Sequence, residues 1–175
     1  AIDQNNKIVI VGDYDADGAT STALMVLALR DMGANVEYLV PDRFKYGYGL
    51  TPKIADLAFT KYQPDLLITV DNGISSHAGV EQAQAHGMQV IITDHHLTTK
   101  ETPTAEAVVN PNQLGCDFPS KALAGVGVAF YLLANLSSHR SKSGKSSSKV
   151  AQYLDLVALG TYADVASLDY NNRIL

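Results

Sequence analysis

Short apolar runs alternate with longer helical stretches through the first 110 residues of this chain. The runs are rich in β-branched residues, which is typical of strands covered on both faces, and they occupy residues 8–11, 36–40, 66–70, 90–92 and 107–109. The helical stretches cover roughly residues 19–32, 52–61 and 75–86. This alternation predicts an α/β fold: a doubly wound, mainly parallel five-stranded sheet with helices on both faces.

The pattern changes after Pro111 to loop and helix, with helices expected at residues 123–136 and 150–159. Between them, residues 137–149 are rich in Ser and Gly and carry four basic residues. That composition favours a mobile, solvated loop, with phosphate contact as the open alternative. We expect one catalytic domain over residues 1–175, with a sheet core to about 110 and a helical part from 111. We also expect the chain to be a piece of a longer polypeptide.

Composition favours a soluble, cytoplasmic protein. No apolar run is long enough to span a bilayer, and the single cysteine, Cys116, excludes an intrachain disulfide and a thiolate zinc cluster. The net charge of −5, from 13 basic and 18 acidic residues, argues against a protein that coats nucleic acid by electrostatics alone. Six of the acids fall in the motifs described next, so the negative charge is concentrated.

Acidic side chains follow three of the predicted strands. Asp13 follows the first strand, Asp71 the third and Asp94 the fourth. Because the carboxyl ends of parallel strands line one crevice, we expect these carboxylates to converge. Clustered carboxylates repel one another, and bound divalent cations remove that conflict. The sequence therefore predicts an Mg²⁺ or Mn²⁺ site at this edge of the sheet.

The first acidic motif, residues 12–18, has Asp at every second position: Asp13, Asp15 and Asp17. It resembles the start of an EF-hand loop, but Leu24 stands where the twelfth loop position requires Glu, and a strand rather than a helix precedes it. A dinucleotide fingerprint is excluded because the glycine spacing is absent. Capping of the helix that begins near residue 19 could account for Asp17, but it does not account for all three acids.

The segments that contain these acids after the three strands, together with a fourth motif, resemble the DHH phosphoesterase superfamily. The superfamily is named for the triplet that stands here as Asp94, His95 and His96, and the fourth motif is the Ala-Asp-Val segment at residues 163–165. Within it, residues 12–18 and the segments 41–50 and 123–130 resemble the RecJ exonucleases. Phosphoesterases for small substrates normally carry a His four residues before Asp15, where this chain has Val11.

The resemblance implies a metal-dependent phosphodiesterase that uses two ions, Mn²⁺ or Mg²⁺. Its metal ligands would be Asp15, Asp17, Asp71, His95 and Asp164, with Asp71 bridging the ions and Asp13 completing a shell or orienting a ligand. The catalytic residues would be Asp71, His95 and His96, with His96 on the scissile phosphate and with Asp94 and Asn72 supporting the ligands. Substrate contacts would come from Arg43, Tyr48, His96, Gly125 and Gly127. Equal alternatives are a surface loop with turn glycines for residues 41–50 and close helix packing for residues 123–130.

As an activity, the resemblance implies 5′-to-3′ degradation of single-stranded DNA to mononucleotides in DNA repair and recombination. The partners would be the DNA strand and two further domains of the same protein, a basic domain across the cleft and an OB-like domain. Two alternatives stay open. One is a related enzyme for short oligonucleotides, cyclic dinucleotides or pyrophosphate, and the other is a non-catalytic scaffold with the same fold.

Overall fold

Five parallel strands form one sheet in the order β2-β1-β3-β4-β5. The computed structural model describes residues 1–98 and 101–175. The strands are β1 (Lys7–Gly12), β2 (Asn35–Leu39), β3 (Leu66–Val70), β4 (Gln89–Thr93) and β5 (Ala107–Val109). All four strand pairs are parallel, so the expectation of a mainly parallel five-stranded sheet is confirmed.

Helices cover both faces of the sheet. They are α1 (Ala16–Asp31), α2 (Arg43–Tyr46), α3 (Pro52–Tyr62), α4 (His77–Ala85), α5 (Gly125–Lys142), α6 (Leu154–Ala163) and α7 (Tyr170–Ile174). One apolar core lies between the sheet and α1, α5 and α6, and it includes Ile8, Leu24 and Leu133. The second core lies between the sheet and α3 and α4, and it includes Val9 and Ile54. Successive β1 side chains enter opposite cores, which explains why this strand is apolar throughout.

Capping side chains set the first residues of two helices. The Asp15 carboxylate accepts a 2.9 Å hydrogen bond from Gly18 N, so α1 begins at Ala16, three residues before the predicted start. The Thr51 hydroxyl caps α3, whose first residue is Pro52. The short helices α2 and α7 were not predicted, because four or five residues show no apolar periodicity.

The expectation of a solvated loop at residues 137–149 is wrong for its first six residues, which belong to α5. Arg140 is buried and donates a 2.8 Å hydrogen bond to Asp3, while the Ser137 hydroxyl donates to Ser148 O at 2.5 Å. Three polar residues of the segment, Ser137, Arg140 and Ser148, are buried and hydrogen-bonded, while the others are exposed. Residues 150–153 likewise form a 3₁₀ turn ahead of α6.

Helix α5 extends from one end of the sheet to the other. Its 18 residues span about 27 Å. Its first residue lies against Asp71 at the carboxyl end of β3, and Arg140 near its last residue contacts Asp3 and Met32. The basic segment is therefore remote from the strand-end acids, which removes the support for its phosphate-contact alternative at that edge.

Strand order reverses direction between β1 and β3, since the chain passes from β1 outward to β2 and then back to β3. Ligand crevices in open α/β sheets form outside the carboxyl ends of the strands at such a point. Asp13 and Asp71 follow these two strands. The topology alone therefore places the two acids on either side of one crevice. In the described part of the chain, no helix has both the length and the apolar character needed to span a membrane.

Candidate metal centre

His95 lies at the middle of the strand-end acids. Its Nε2 atom is 3.1 Å from Asp71 Oδ1 and 3.7 Å from Asp17 Oδ2, and its Nδ1 atom is 4.0 Å from Asp164 Oδ2. These residues come from the ends of β3 and β4, the start of α1 and the end of α6. Side chains from four separate elements, far apart in the sequence, therefore meet at one imidazole.

Three overlapping groups of side chains have the spacing of a metal site, with all ligand atoms of each group within 4.8 Å of one another. They are Asp13 with Asp15 and Asp71, Asp71 with His95 and His96, and Asp17 with His95 and Asp164. Asp71 belongs to two of the groups, and so does His95. The arrangement therefore has the form of adjoining sites that share donors, which is the arrangement expected when one carboxylate bridges two ions.

Asp71 is held in an unusual backbone conformation. Its φ of 60° lies in the left-handed region, and its side chain is only 2 % exposed. Within residues 1–98 and 101–175, no well-aligned donor reaches Asp71 Oδ1, although His95 Nε2 is 3.1 Å away. Burial raises the pKa of Asp71 to about 7. A buried carboxylate oxygen without a proper partner is a free position for a cation.

Two neighbours keep the Asp71 loop in place. The Asn72 side-chain amide donates to Val11 O at 3.2 Å and to Val70 O at 2.9 Å, which ties the ends of β1 and β3 together. A Cβ atom at Gly125 would lie 2.7 Å from Asp71 Cβ and 2.8 Å from Asp71 Oδ1. Only glycine at position 125 leaves space for the carboxylate, so this residue shapes the centre by close packing.

Asp17 connects the centre to α5. Its two carboxylate oxygens accept hydrogen bonds from Gly125 N at 2.6 Å and from Val126 N at 2.9 Å. The side chain is 2 % exposed, and burial raises its pKa although these bonds oppose the shift. Asp17 therefore caps the amino terminus of a helix 108 residues away, where its negative charge also suits the helix dipole.

The other predicted ligands are more open to solvent. Asp15 is exposed and caps α1, Asp164 is exposed at the end of α6, and Asp13 is half-buried with Oδ1 accepting from Tyr14 N at 2.7 Å. Burial raises the pKa of Asp13. Val165, directly after Asp164, has a φ of 56°. Left-handed conformations are rare for a β-branched residue, so the chain is strained at this point of the centre.

Asp94 supports His96. Asp94 Oδ1 accepts from His96 Nδ1 at 2.7 Å and from the backbone N–H groups of His95 and His96, while Oδ2 accepts from Ile74 N at 2.9 Å. Both oxygens are thus engaged, and the hydrogen bond that His96 donates to Asp94 raises the pKa of His96. His96 Nε2 is left facing the Tyr48 hydroxyl at 3.3 Å.

The remaining predicted substrate residues lie in two places. The Arg43 guanidinium packs against the Tyr14 ring beside the centre, and its Cζ atom is also 5.5 Å from the centroid of the Tyr48 ring. Gly127 is buried in the first turn of α5, and a Cβ atom there would lie 3.0 Å from Leu123 Cδ2. The packing alternative therefore describes the contacts of Gly127.

Comparison with known proteins gives the family. The N-terminal domain profile of the DHH family matches residues 7–161. The chain belongs to the DHH family. The single-stranded-DNA-specific exonuclease RecJ of Dickeya dadantii is 57% identical over 182 aligned positions, which cover the whole chain and 31% of that relative. The resemblance read from the four motifs is thereby confirmed.

Solved structures support the same relationship. A crystal structure of exonuclease RecJ bound to manganese covers 99% of this chain with a TM-score of 0.84 and 39% identity, and the chain covers 43% of it. A structure of RecJ from Thermus thermophilus in complex with Mn²⁺ gives a TM-score of 0.79 at 37% identity, with 99% and 24% covered. The DHH chain therefore spans less than half the length of each of these relatives.

Charge in the DHH centre is unbalanced without a cation. Burial opposes the charged form of His95, but the Asp71, Asp17 and Asp164 carboxylates outweigh it and raise the pKa of His95 to about 9. In this state a protonated His95 imidazole offsets one of the surrounding negative charges. Carboxylate oxygens and one or two imidazole nitrogens are the donors that Mn²⁺ and Mg²⁺ accept, so the residues fit divalent ions.

The sequence analysis assigned no role to three residues that contribute to the DHH centre. Tyr14 contacts Arg43, Gly160 lets α6 approach Asp17, and Val165 adopts its left-handed conformation. A Cβ atom at Gly160 would lie 3.0 Å from Asp17 Oδ1. A glycine inside a helical pattern is the one available signal, because it points to close packing.

Proposed function

We propose that this chain is the catalytic domain of a metal-dependent 5′-to-3′ exonuclease that degrades single-stranded DNA to mononucleotides. The observation that carries the proposal is the buried Asp71 oxygen without a proper donor, at the junction of two potential metal groups. The relatives, named as single-stranded-DNA-specific exonucleases, support the substrate class. A role in DNA repair and recombination belongs to the same proposal.

The metal ligands we propose are those predicted from the motifs: Asp13, Asp15, Asp17, Asp71, His95 and Asp164. The donor set favours two Mn²⁺ or Mg²⁺ ions, with Asp71 between them, and the imidazole tilts the choice toward Mn²⁺. RecJ relatives solved with Mn²⁺ and with Mg²⁺ support both ions. When bound, such ions supply activation of water and neutralisation of charge on the phosphate.

The protein's own side chains orient the phosphate. With its Nδ1 proton held by Asp94, His96 presents Nε2 to the crevice, and its raised pKa favours a proton on that atom. A protonated imidazole donates to a phosphate oxygen and stabilises the added charge of the displacement. Tyr48 lies beside His96, and Arg43 lies near Tyr48, so both can supply further contacts to the DNA strand.

We propose that the chain, residues 1–175, works as one domain of a longer cytoplasmic polypeptide. The support is that it spans 31% of the RecJ relative from Dickeya dadantii. A second, basic domain across the crevice and an OB-like domain would supply basic side chains that this acidic domain lacks, because binding along single-stranded DNA needs a positively charged groove.

The test is an Asp71→Asn variant of the complete polypeptide. Asparagine tolerates the left-handed conformation at position 71, so the fold should persist while Mn²⁺-dependent release of nucleotides from a 5′-labelled single strand falls at least about a thousandfold. Asp56→Asn is the control, since Asp56 is an exposed acid on α3 that pairs with His86. Turnover by the Asp71 variant at the rate of the control would refute the site.

Substrate comparison separates the alternatives. Wild-type protein with Mn²⁺ is offered the single strand, a cyclic dinucleotide and pyrophosphate. Preference for either small compound would replace the exonuclease by a small-substrate enzyme. Absence of Mn²⁺ binding in a calorimetric titration would instead favour a non-catalytic scaffold.

A further inference from the structure

Arg43 contacts two tyrosine rings near the metal centre. Its Cζ atom lies 4.2 Å from the centroid of the Tyr14 ring and 5.5 Å from that of Tyr48. The guanidinium also donates a hydrogen bond to the Tyr14 hydroxyl oxygen. Ring contact and hydrogen bond together restrict both the position and the rotation of the guanidinium.

The backbone of Arg43 is fixed as well. Arg43 is the first residue of α2, and the preceding Asp42 caps that helix by accepting from Phe44 N at 2.9 Å. Arg43 forms no ion pair with any carboxylate in residues 1–98 and 101–175. The result is an ordered cation whose charge is not neutralised by a direct contact.

Tyr14 has separate tasks for its backbone and its side chain. Its N–H group donates to Asp13 Oδ1 at 2.7 Å, inside the acidic motif, while its half-exposed ring reaches out to Arg43. The second ring near Arg43 is that of Tyr48, whose hydroxyl lies 3.3 Å from His96 Nε2. The guanidinium is thereby placed between the acidic motif and the histidine proposed to contact the scissile phosphate.

We infer that Tyr14 is a positioning residue, which orders the Arg43 guanidinium to receive a backbone phosphate of the DNA strand next to the scissile one. The inference rests on the proposed exonuclease function. An arginine that is ordered before binding loses less rotational freedom when the phosphate arrives, so Tyr14 strengthens binding of the strand through Arg43. Chemistry at phosphorus is left to the acids and His96.

The experiment compares Tyr14→Phe and Tyr14→Leu in the complete polypeptide with Mn²⁺ and a single-stranded oligonucleotide. Loss of the hydroxyl alone should raise KM about threefold, and loss of the ring about tenfold, with kcat within about twofold of wild type. Tyr38→Leu is the control, because Tyr38 is 51 % exposed against 50 % for Tyr14 and lies on the edge strand β2. Neither Tyr14 variant removes the N–H bond to Asp13, so Mn²⁺ binding should be unchanged.

A second arm repeats Tyr14→Leu in an Arg43→Ala background. If Tyr14 acts through Arg43, the double variant should have the KM of Arg43→Ala alone. A further rise in the double variant means that Tyr14 contacts the strand itself, and this overturns the inference. Should either Tyr14 variant unfold at lower temperature, the other supplies the comparison. An active wild type whose Tyr14 variants match Tyr38→Leu overturns this inference alone, whereas an inactive wild type overturns the proposed function as well.

Discussion

Asp17 is both a candidate metal ligand and the cap of α5, and these two roles predict different effects of its removal. Asp17→Ala would leave the buried Gly125 and Val126 amides without their acceptor. Hydrogen bonds to charged groups contribute roughly 1.5–3 kcal/mol each, and the cost of burying the carboxylate, visible in its raised pKa, offsets part of the sum. We expect a net loss of about 3 kcal/mol in unfolding free energy.

Thermal unfolding in EDTA measures this loss without a contribution from metal. For a chain of this size, 1 kcal/mol corresponds to roughly 2–4 °C in Tm, so Asp17→Ala should melt about 6–12 °C below wild type. Asp164→Ala is the matched control, since Asp164 is a candidate ligand on the exposed side of the centre. Its metal-free Tm should stay within about 2 °C of wild type.

Equal melting temperatures of Asp17→Ala and Asp164→Ala in EDTA would refute the capping role of Asp17. That result would mean that the α5 amides find other acceptors, and that Asp17 serves the metal alone. The capping role would be established if Tm falls in Asp17→Ala but not in Asp164→Ala, and if Asp17→Asn shows about half of that decrease. Asparagine should show half because it keeps one acceptor oxygen.

Two further predictions concern metal affinity. Gly125→Ala should weaken Mn²⁺ binding at least about tenfold and cost about 1–3 kcal/mol of stability, because the added Cβ would displace Asp71. The control Gly127→Ala should have neither effect. Equal Mn²⁺ affinities of the two variants, measured by calorimetry, would contradict this prediction. Mn²⁺ must displace protons from both His95 and Asp71, whose pKa values are about 9 and about 7. Mn²⁺ affinity should therefore rise with pH up to about 9, and calorimetry in two buffers should show proton release; a pH-independent affinity would contradict this competition. Both folded-state pKa values lie above their unfolded values, so metal-free stability should fall as pH rises from about 4 to 9.

The centre of the sheet was predictable because strands β1 and β3 are buried on both faces. Residues 8–11 and 66–70 contain only apolar or β-branched side chains, and the structure has strands at Lys7–Gly12 and Leu66–Val70. Once parallel strands are assigned, the position of Asp71 after β3 follows, and so does its approach to Asp13. This part of the site depended on local patterns and one rule of topology.

Contacts between distant segments were not predictable in the same way. Nothing in the sequence near Asp17 indicates that it accepts hydrogen bonds from Gly125, 108 residues later. The helical residues 137–142 were assigned to a loop because their composition is polar, and it does not reveal that Arg140 is buried and paired with Asp3. Such contacts depend on how elements pack, and one sequence contains no periodic signal for them.

The left-handed backbone at Asp71 restricts how this domain can lose its metal and stay folded. At a φ of 60°, asparagine and glycine are the replacements that fit without steric penalty, while alanine and branched residues strain the turn. Asparagine needs a single nucleotide change from aspartate and keeps nearly the same shape. Asparagine at position 71 would therefore remove the carboxylate charge from the proposed metal centre and leave the turn unstrained.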